Sequence, residues 1–336
     1  SYPATTYTFD ATVKGNGVER SFTWSETDGK QITRITRGYT AADLEIVPAS
    51  VGLVWYNTPM TADGYVNVSP VTVESVGYDP ETGMASFTTP AEFVTGNVLL
   101  AAYDAAGTIL WSWNIWAAGL GYDADAASGQ VANGYVMMDR NLGAAAGPEV
   151  MGTSDEAKAI GNYYQWGRKD PFPAAAEYVS ESGVTGGDRS WGLPAHTPVE
   201  AFRQPADKQT LGFTDLIFGT DNASNGRVLS SVLGDSFTVD QAVEEAVRYP
   251  YRWMFWSGTD SGNDNYNWTR SNLSGTENAK AWKYLWGNPA TDPQEGDSDN
   301  VKTIYDPCPP GWKVMPRAAW SFSDLNDVSG WHGYYS

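Results

Sequence analysis

The stretch VLLAAYDAAGTILWSWNIW, residues 98–116, constrains this chain more than any other. Two runs rich in β-branched, aliphatic and aromatic residues are separated by Asp104-Ala-Ala-Gly107, where a glycine can take the left-handed conformation that a short hairpin turn demands. In the second run Ile109, Trp111, Trp113 and Ile115 alternate with Ser112 and Asn114, a period of two with one buried side. Burying a tryptophan removes ~150–250 Å² from water at ~25 cal/mol/Å², so Trp111 and Trp113 read as interior rather than as a ligand platform.

The residues upstream repeat the theme. YTFDATV (7–13), DLEIV (43–47), VGLVWY (51–56), VTVESVGY (71–78) and MASFTT (84–89) are strand-like, and Asp63-Gly64 and Pro80–Gly83 are turn chemistry between them. Residues 1–117 are therefore expected to form a β-sandwich. From residue 118 the pattern turns to α+β. GYVMMDRNLG (134–143) predicts a strand and SDEAKAIGNYYQWG (154–167) a helix with Ser154 as N-cap and Gly167 as stop. A second helix is expected at 239–248, opened by the Thr238-x-x-Gln241 capping box and stopped before Pro250. A third is expected at 277–286. The loops between are long and rich in Gly, Asn and Asp, as functional surfaces often are.

Charge narrows the partners. Forty acids against 21 bases give a net charge of −19, and the bases are scattered singly. Nucleic acid and anionic membrane surfaces both need clustered Lys and Arg, so neither is an expected partner. No apolar run approaches the ~18 residues that a membrane span requires, and no direct membrane insertion is expected. With one cysteine and two histidines, His196 and His332, zinc sites of Cys and His are excluded, and no nucleophile elbow or phosphate loop is present. The chain is read as a non-enzyme. A glycosidase needs only two carboxylates, so hydrolysis remains an alternative.

Several segments in order, LWSWNIW (110–116), MDRNLGA (138–144), YYQWGRKDPFP (163–173), LWG (285–287) and KTIYDPCPPGWKV (302–314), resemble the C-terminal part of the fimbrillin-like surface proteins of gut Bacteroidales. The Cys-Pro-x-Gly-Trp box is similar to that of the Fibrobacter major paralogous domain, which has a C-type-lectin-like fold. The resemblance covers nearly the whole chain. It departs at Asn114, where relatives are expected to carry histidine. It implies an immunoglobulin-like sandwich over 1–117, a C-type-lectin-like domain over 118–336, export to the extracellular face of the outer membrane, and adhesion or fimbrial assembly. The expected function is that of a cell-surface adhesin or fimbria-associated protein recognising glycan or protein. The alternative is a pilus subunit that polymerises by strand completion with its fellow subunits.

Candidate sites follow from residue chemistry. Trp253, Trp256 and Trp268 beside Asp260, Asp264 and Asn267 combine flat aromatic faces with groups that hydrogen-bond sugar hydroxyls, and are the candidate ligand site. In QWGRKDPF, Trp166, Arg168 and Asp170 read as structural, with Arg168 and Asp170 forming an ion pair that braces the turn before Pro171. Trp286 and Asp306 also read as structural, the latter capping the turn ahead of Pro307. No cofactor is expected. Calcium is the one metal the acids Asp292, Glu295, Asp297 and Asp299 could gather, although their spacing does not fit an EF-hand loop.

Cys308, the single cysteine, lies between two prolines. The resemblance implies a partner cysteine on a strand near the far end of the domain. The sequence holds none, and it opens at Ser1 without methionine. The expectation is a fragment of a longer protein with a leader removed or lying upstream, whose second cysteine lies elsewhere. The other reading is a buried free thiol acting as a small hydrophobe.

Overall fold

The computed structural model describes residues 2–15, 17, 20–28, 31–57, 60–61, 64–65, 69–123, 128–132, 135–150, 152–153, 155–159, 161–172, 227–234, 236–255, 268, 285–286 and 302–314. Their architecture is mostly antiparallel β with few helices, compatible with a β-sandwich.

The predicted hairpin is its centre. Strands β4 (Ser50–Asn57), β9 (Gly96–Tyr103) and β10 (Ile109–Ala117) form an antiparallel sheet in the order β10-β9-β4. Gly107 takes φ +81° in the connection, as the turn requires. A second antiparallel sheet joins β1 (Thr6–Asp10), β8 (Met84–Thr88) and β7 (Gly77–Asp79) in the order β1-β8-β7. Further two-stranded ribbons are β2 (Arg20–Asp28) with β3 (Gln31–Tyr39), β5 (Met60–Thr61) with β6 (Gly64–Tyr65), and β11 (Ser128–Ala132) with β12 (Tyr135–Met138). The pair β13 (Arg227–Val228) and β14 (Met254–Phe255) is parallel. Among the described residues no helix is long and apolar enough to cross a membrane.

Every residue of β9 from Gly96 to Ala102 is buried, because both faces of the central sheet are covered. On one face Leu53, Val98 and Leu100 meet Phe87 and Val71 from the region of the second sheet. On the other, Val54, Trp55, Leu99, Ala101 and Ile109 pack with Phe172, Trp253 and Phe255. That second cluster joins residues from before and after residue 117 in one core. A third cluster gathers Leu229, Phe237, Val239, Ala242, Val243 and Ala246 with Met254, Trp268 and Leu285. It surrounds the short helix α2 (Leu229–Leu233) and helix α3 (Val239–Arg248).

A β-bulge between Ile109 and Trp111 corrects the alternation read from sequence. Ile109 turns to the Trp253 side, whereas Trp111 packs with Ala11, Ala85 and Ala102 on the opposite one. One extra residue in the strand exchanges faces, which no period-two count anticipates. Trp111 is 2% exposed and Trp113 packs against its cluster.

Three further elements differ from expectation. Residues 43–47 do not make a strand: the Asp43 carboxylate accepts the amide and hydroxyl of Thr40, and the short helix α1 (Ala41–Leu44) starts there instead. The run 71–78 is broken by a 3-10 turn at Val73–Ser75, where the Ser75 hydroxyl donates to Thr72 O and accepts from Thr88 N. The expected helix at 154–167 shrinks to a 3-10 turn, Glu156–Ala159. Its backbone groups are claimed from outside: Lys158 O accepts from Ala145 and Ala146 N, and Asn162 N donates to Leu142 O. The expected helix at 277–286 lies almost wholly outside the described residues.

Helix α3 matches its expected limits. Thr238 Oγ1 accepts from Gln241 N at 3.2 Å, and Gln241 Oε1 accepts from Thr238 N at 2.8 Å. Thr238→Ala removes this reciprocal cap and is expected to lower stability by about 1 kcal/mol, read as a shift of the urea midpoint without change of slope.

Candidate functional site

The segment Tyr163–Phe172 organises the region where the two halves of the chain meet. An antiparallel bridge between Tyr163 and Phe172 closes it into a loop. At its entrance the Gln165 side chain pairs with β14 as a strand would: Nε2 donates to Met254 O and Oε1 accepts from Met254 N, both at 2.9 Å. The next turn requires glycine. Gly167 has φ +87°, and a Cβ there would lie 2.5 Å from Leu285 Cδ1.

Arg168 is 2% exposed. Its guanidinium donates to Gln165 Oε1, Tyr249 O, Pro250 O and Arg252 O, gathering the carbonyls just past the end of α3, where a helix favours a cation. Burial pulls its pKa down to about 10, with Asp170 opposing the shift, so it stays charged at neutral pH. This corrects the expected Arg168–Asp170 brace. The partners of Arg168 are carbonyls, and Asp170 pairs with Lys169. Lys169 Nζ lies 2.6 Å from Asp170 Oδ1, donates to Ser112 O and Oγ at 2.9 and 2.5 Å, and sits 4.3 Å from the centre of the Trp111 ring. Ser112 Oγ in turn donates to Asp170 Oδ1 at 2.7 Å. Desolvation draws the Lys169 pKa down while Asp170 opposes it.

A serine, a lysine and an aspartate at these distances resemble a nucleophile with its base. Ser112 and Asp170, however, are each 3% exposed, and Ser112 Oγ, Lys169 Nζ and Asp170 Oδ1 are directed at one another or at backbone. The arrangement braces β10 against the loop and offers a substrate no approach. Other buried carboxylates behave alike: Glu245 pairs with Arg227, and Asp306 with Lys302 at 2.7 Å.

The aromatic residues divide. Trp253 and Trp268 are 7% and 2% exposed and belong to the interior, so the sugar-binding faces expected of them are turned away from solvent. Trp268 Nε1 donates to Trp166 O, and Trp286 Nε1 donates to Arg168 O, both at 2.8 Å. Trp256, Asp260, Asp264 and Asn267 lie outside the described residues, as do Asp292, Glu295, Asp297 and Asp299. Among the described residues no three His, Cys, Asp or Glu side chains gather as a metal ion would require.

Asp306 caps the proline-rich turn as expected. Its Oδ1 accepts from Cys308 N and its Oδ2 from Val314 N, both at 2.9 Å, while Lys302 Nζ reaches Asp306 Oδ1 and Cys308 O. Cys308 is a free thiol. Burial, and then the neighbouring Asp306 charge, push its pKa well above the ordinary value, so it is protonated and a poor nucleophile. Iodoacetamide is expected to alkylate it far more slowly in the folded chain than in urea at the same pH. Equal rates would contradict the half-buried setting.

Sequence reasoning missed Gln165, Lys169 and Ser112. For Ser112 and Lys169 a signal existed in each case: a small hydroxyl inside a strand of tryptophans, and a lysine inside a motif otherwise read as structural. No family model, curated protein or solved structure matches the chain.

Proposed function

We propose that this chain is a binding module of the cell surface, an adhesin or fimbria-associated subunit that recognises glycan or protein, and not an enzyme. In this reading residues 1–117 are an immunoglobulin-like sandwich and the remainder a C-type-lectin-like domain. The observation that carries it is the mutual interlocking of the five segments on which the resemblance rests. Trp116 Nε1 donates to Ala144 O, Ser112 bonds Asp170, Trp286 bonds Arg168 O, and the Trp111 ring meets Tyr305 at 5.9 Å. The hydrogen-bonding groups of these signature residues are thus spent on a scaffold, and the buried carboxylates on ion pairs, which suits a rigid frame that presents loops and ring faces.

The test is the whole chain, immobilised and offered an array of glycans, a panel of extracellular proteins and fimbrial subunits. Saturable binding to one class is expected. Binding to none, or release of reducing ends from a polysaccharide, would overturn the reading.

A further inference from the structure

Resting on the binding-module reading, we infer that Trp166 and Trp286 form the platform on which a neutral pyranose docks. Among the described tryptophans, Trp55, Trp111, Trp253 and Trp268 are under 10% exposed and Trp113, Trp116, Trp286 and Trp312 are half-buried, whereas Trp166 is 38% exposed. Its ring lies 4.7 Å from that of Trp286 at a 48° tilt, so the two indoles form an angled surface.

The exposure is not that of a slack loop. Backbone on both sides of the Trp166 side chain is held: Gln165 by Met254, Trp166 O by Trp268, Arg168 O by Trp286, with Gly167 seated on Leu285. An aromatic ring fixed in advance and left in water binds without a large ordering cost. The Trp286 indole N–H is already used, so that ring contributes its carbon face.

Charge selects the occupant. The two cations that follow Trp166 in sequence, Arg168 and Lys169, are turned inward and consumed, and the chain as a whole carries −19. An acidic sugar would find both of these cations already engaged. A neutral pyranose offers one face of C–H groups, weakly positive, which complements the negative face of an indole.

The experiment follows tryptophan emission of the full chain during titration with neutral oligosaccharides of glucose, mannose and N-acetylglucosamine. Hyaluronan and a proline-rich peptide run in parallel. Saturable binding of a neutral sugar is expected, weakened at least about tenfold in Trp166→Ala, as for an aromatic anchor. Trp166→Leu, which fills the volume without a π face, should lose binding, and Trp166→Phe should keep most of it. Unchanged thermal midpoints separate lost contact from lost fold. A sugar bound equally by wild type and Trp166→Leu overturns this platform and leaves the binding-module reading standing. Binding only of hyaluronan, of the peptide or of a protein partner does the same. A wild type that binds no partner of any kind overturns both.

Discussion

Replacing Arg168 with methionine is expected to cost about 3–5 kcal/mol of stability, since a buried network then loses its hub. Methionine keeps the bulk, but Pro250 O and Arg252 O lose the guanidinium donors and Tyr249 O keeps only the Arg252 amide, and a buried carbonyl that loses its donor costs about 1–3 kcal/mol. Arg168→Lys should fare little better. One ammonium with three donors cannot span the Gln165 amide and carbonyls reaching from Tyr249 to Arg252. Urea unfolding followed by tryptophan emission measures the loss. A midpoint shift worth less than about 1 kcal/mol for Arg168→Met would show that the carbonyls find other partners.

The second large effect is at Lys169 and Asp170. Asp170→Ala leaves an ammonium among Trp111, Ser112 and backbone with no counter-charge, and is expected to destabilise by about 3–5 kcal/mol. Lys169→Met strands the carboxylate in the same way, with Ser112 Oγ still donating to it. The double variant Lys169→Met with Asp170→Ala removes both charges. Its destabilisation should be well below the sum of the single losses, because a buried ion pair can often be replaced by uncharged groups at little cost. Strict additivity in this cycle would mean that the two charges do not interact.

How much of this was legible in the sequence depends on the range over which each feature is decided. The β9–β10 hairpin and the capped helix α3 are local, governed by a glycine turn and a Thr-x-x-Gln box, and both stand where the residues put them. The bulge after Ile109 is one residue long and reverses a face. The stretch 154–167 has helical composition but loses its backbone partners to residues 142–146, a long-range competition that propensity does not register. The candidate site shows the same division. Asp306 caps its neighbours within eight residues and was readable. The backbone partners of Arg168 lie more than eighty residues away, and nothing in QWGRKDPF indicates that its arginine answers a helix end. Trp253 and Trp268 sit in a stretch of sugar-binding composition, yet a composition cannot say which way a ring faces.

The core shared by the two halves bears on how this protein is made. Strands β4, β9 and β10 leave the ribosome well before part of their cover, carrying Trp55, Leu99 and Ile109 on a face that Trp253 and Phe255 later close. Roughly 140 residues separate Ile109 from Trp253, which at ~5–20 residues per second means about 7–30 s of synthesis before that cover exists. During this interval an apolar flank stands open in the nascent chain, and its edges invite pairing with other chains. The newborn sheet is therefore the species that a holding chaperone would meet. Stalling translation between residues 120 and 250 should produce chains that aggregate, whereas chains released after residue 314 should not.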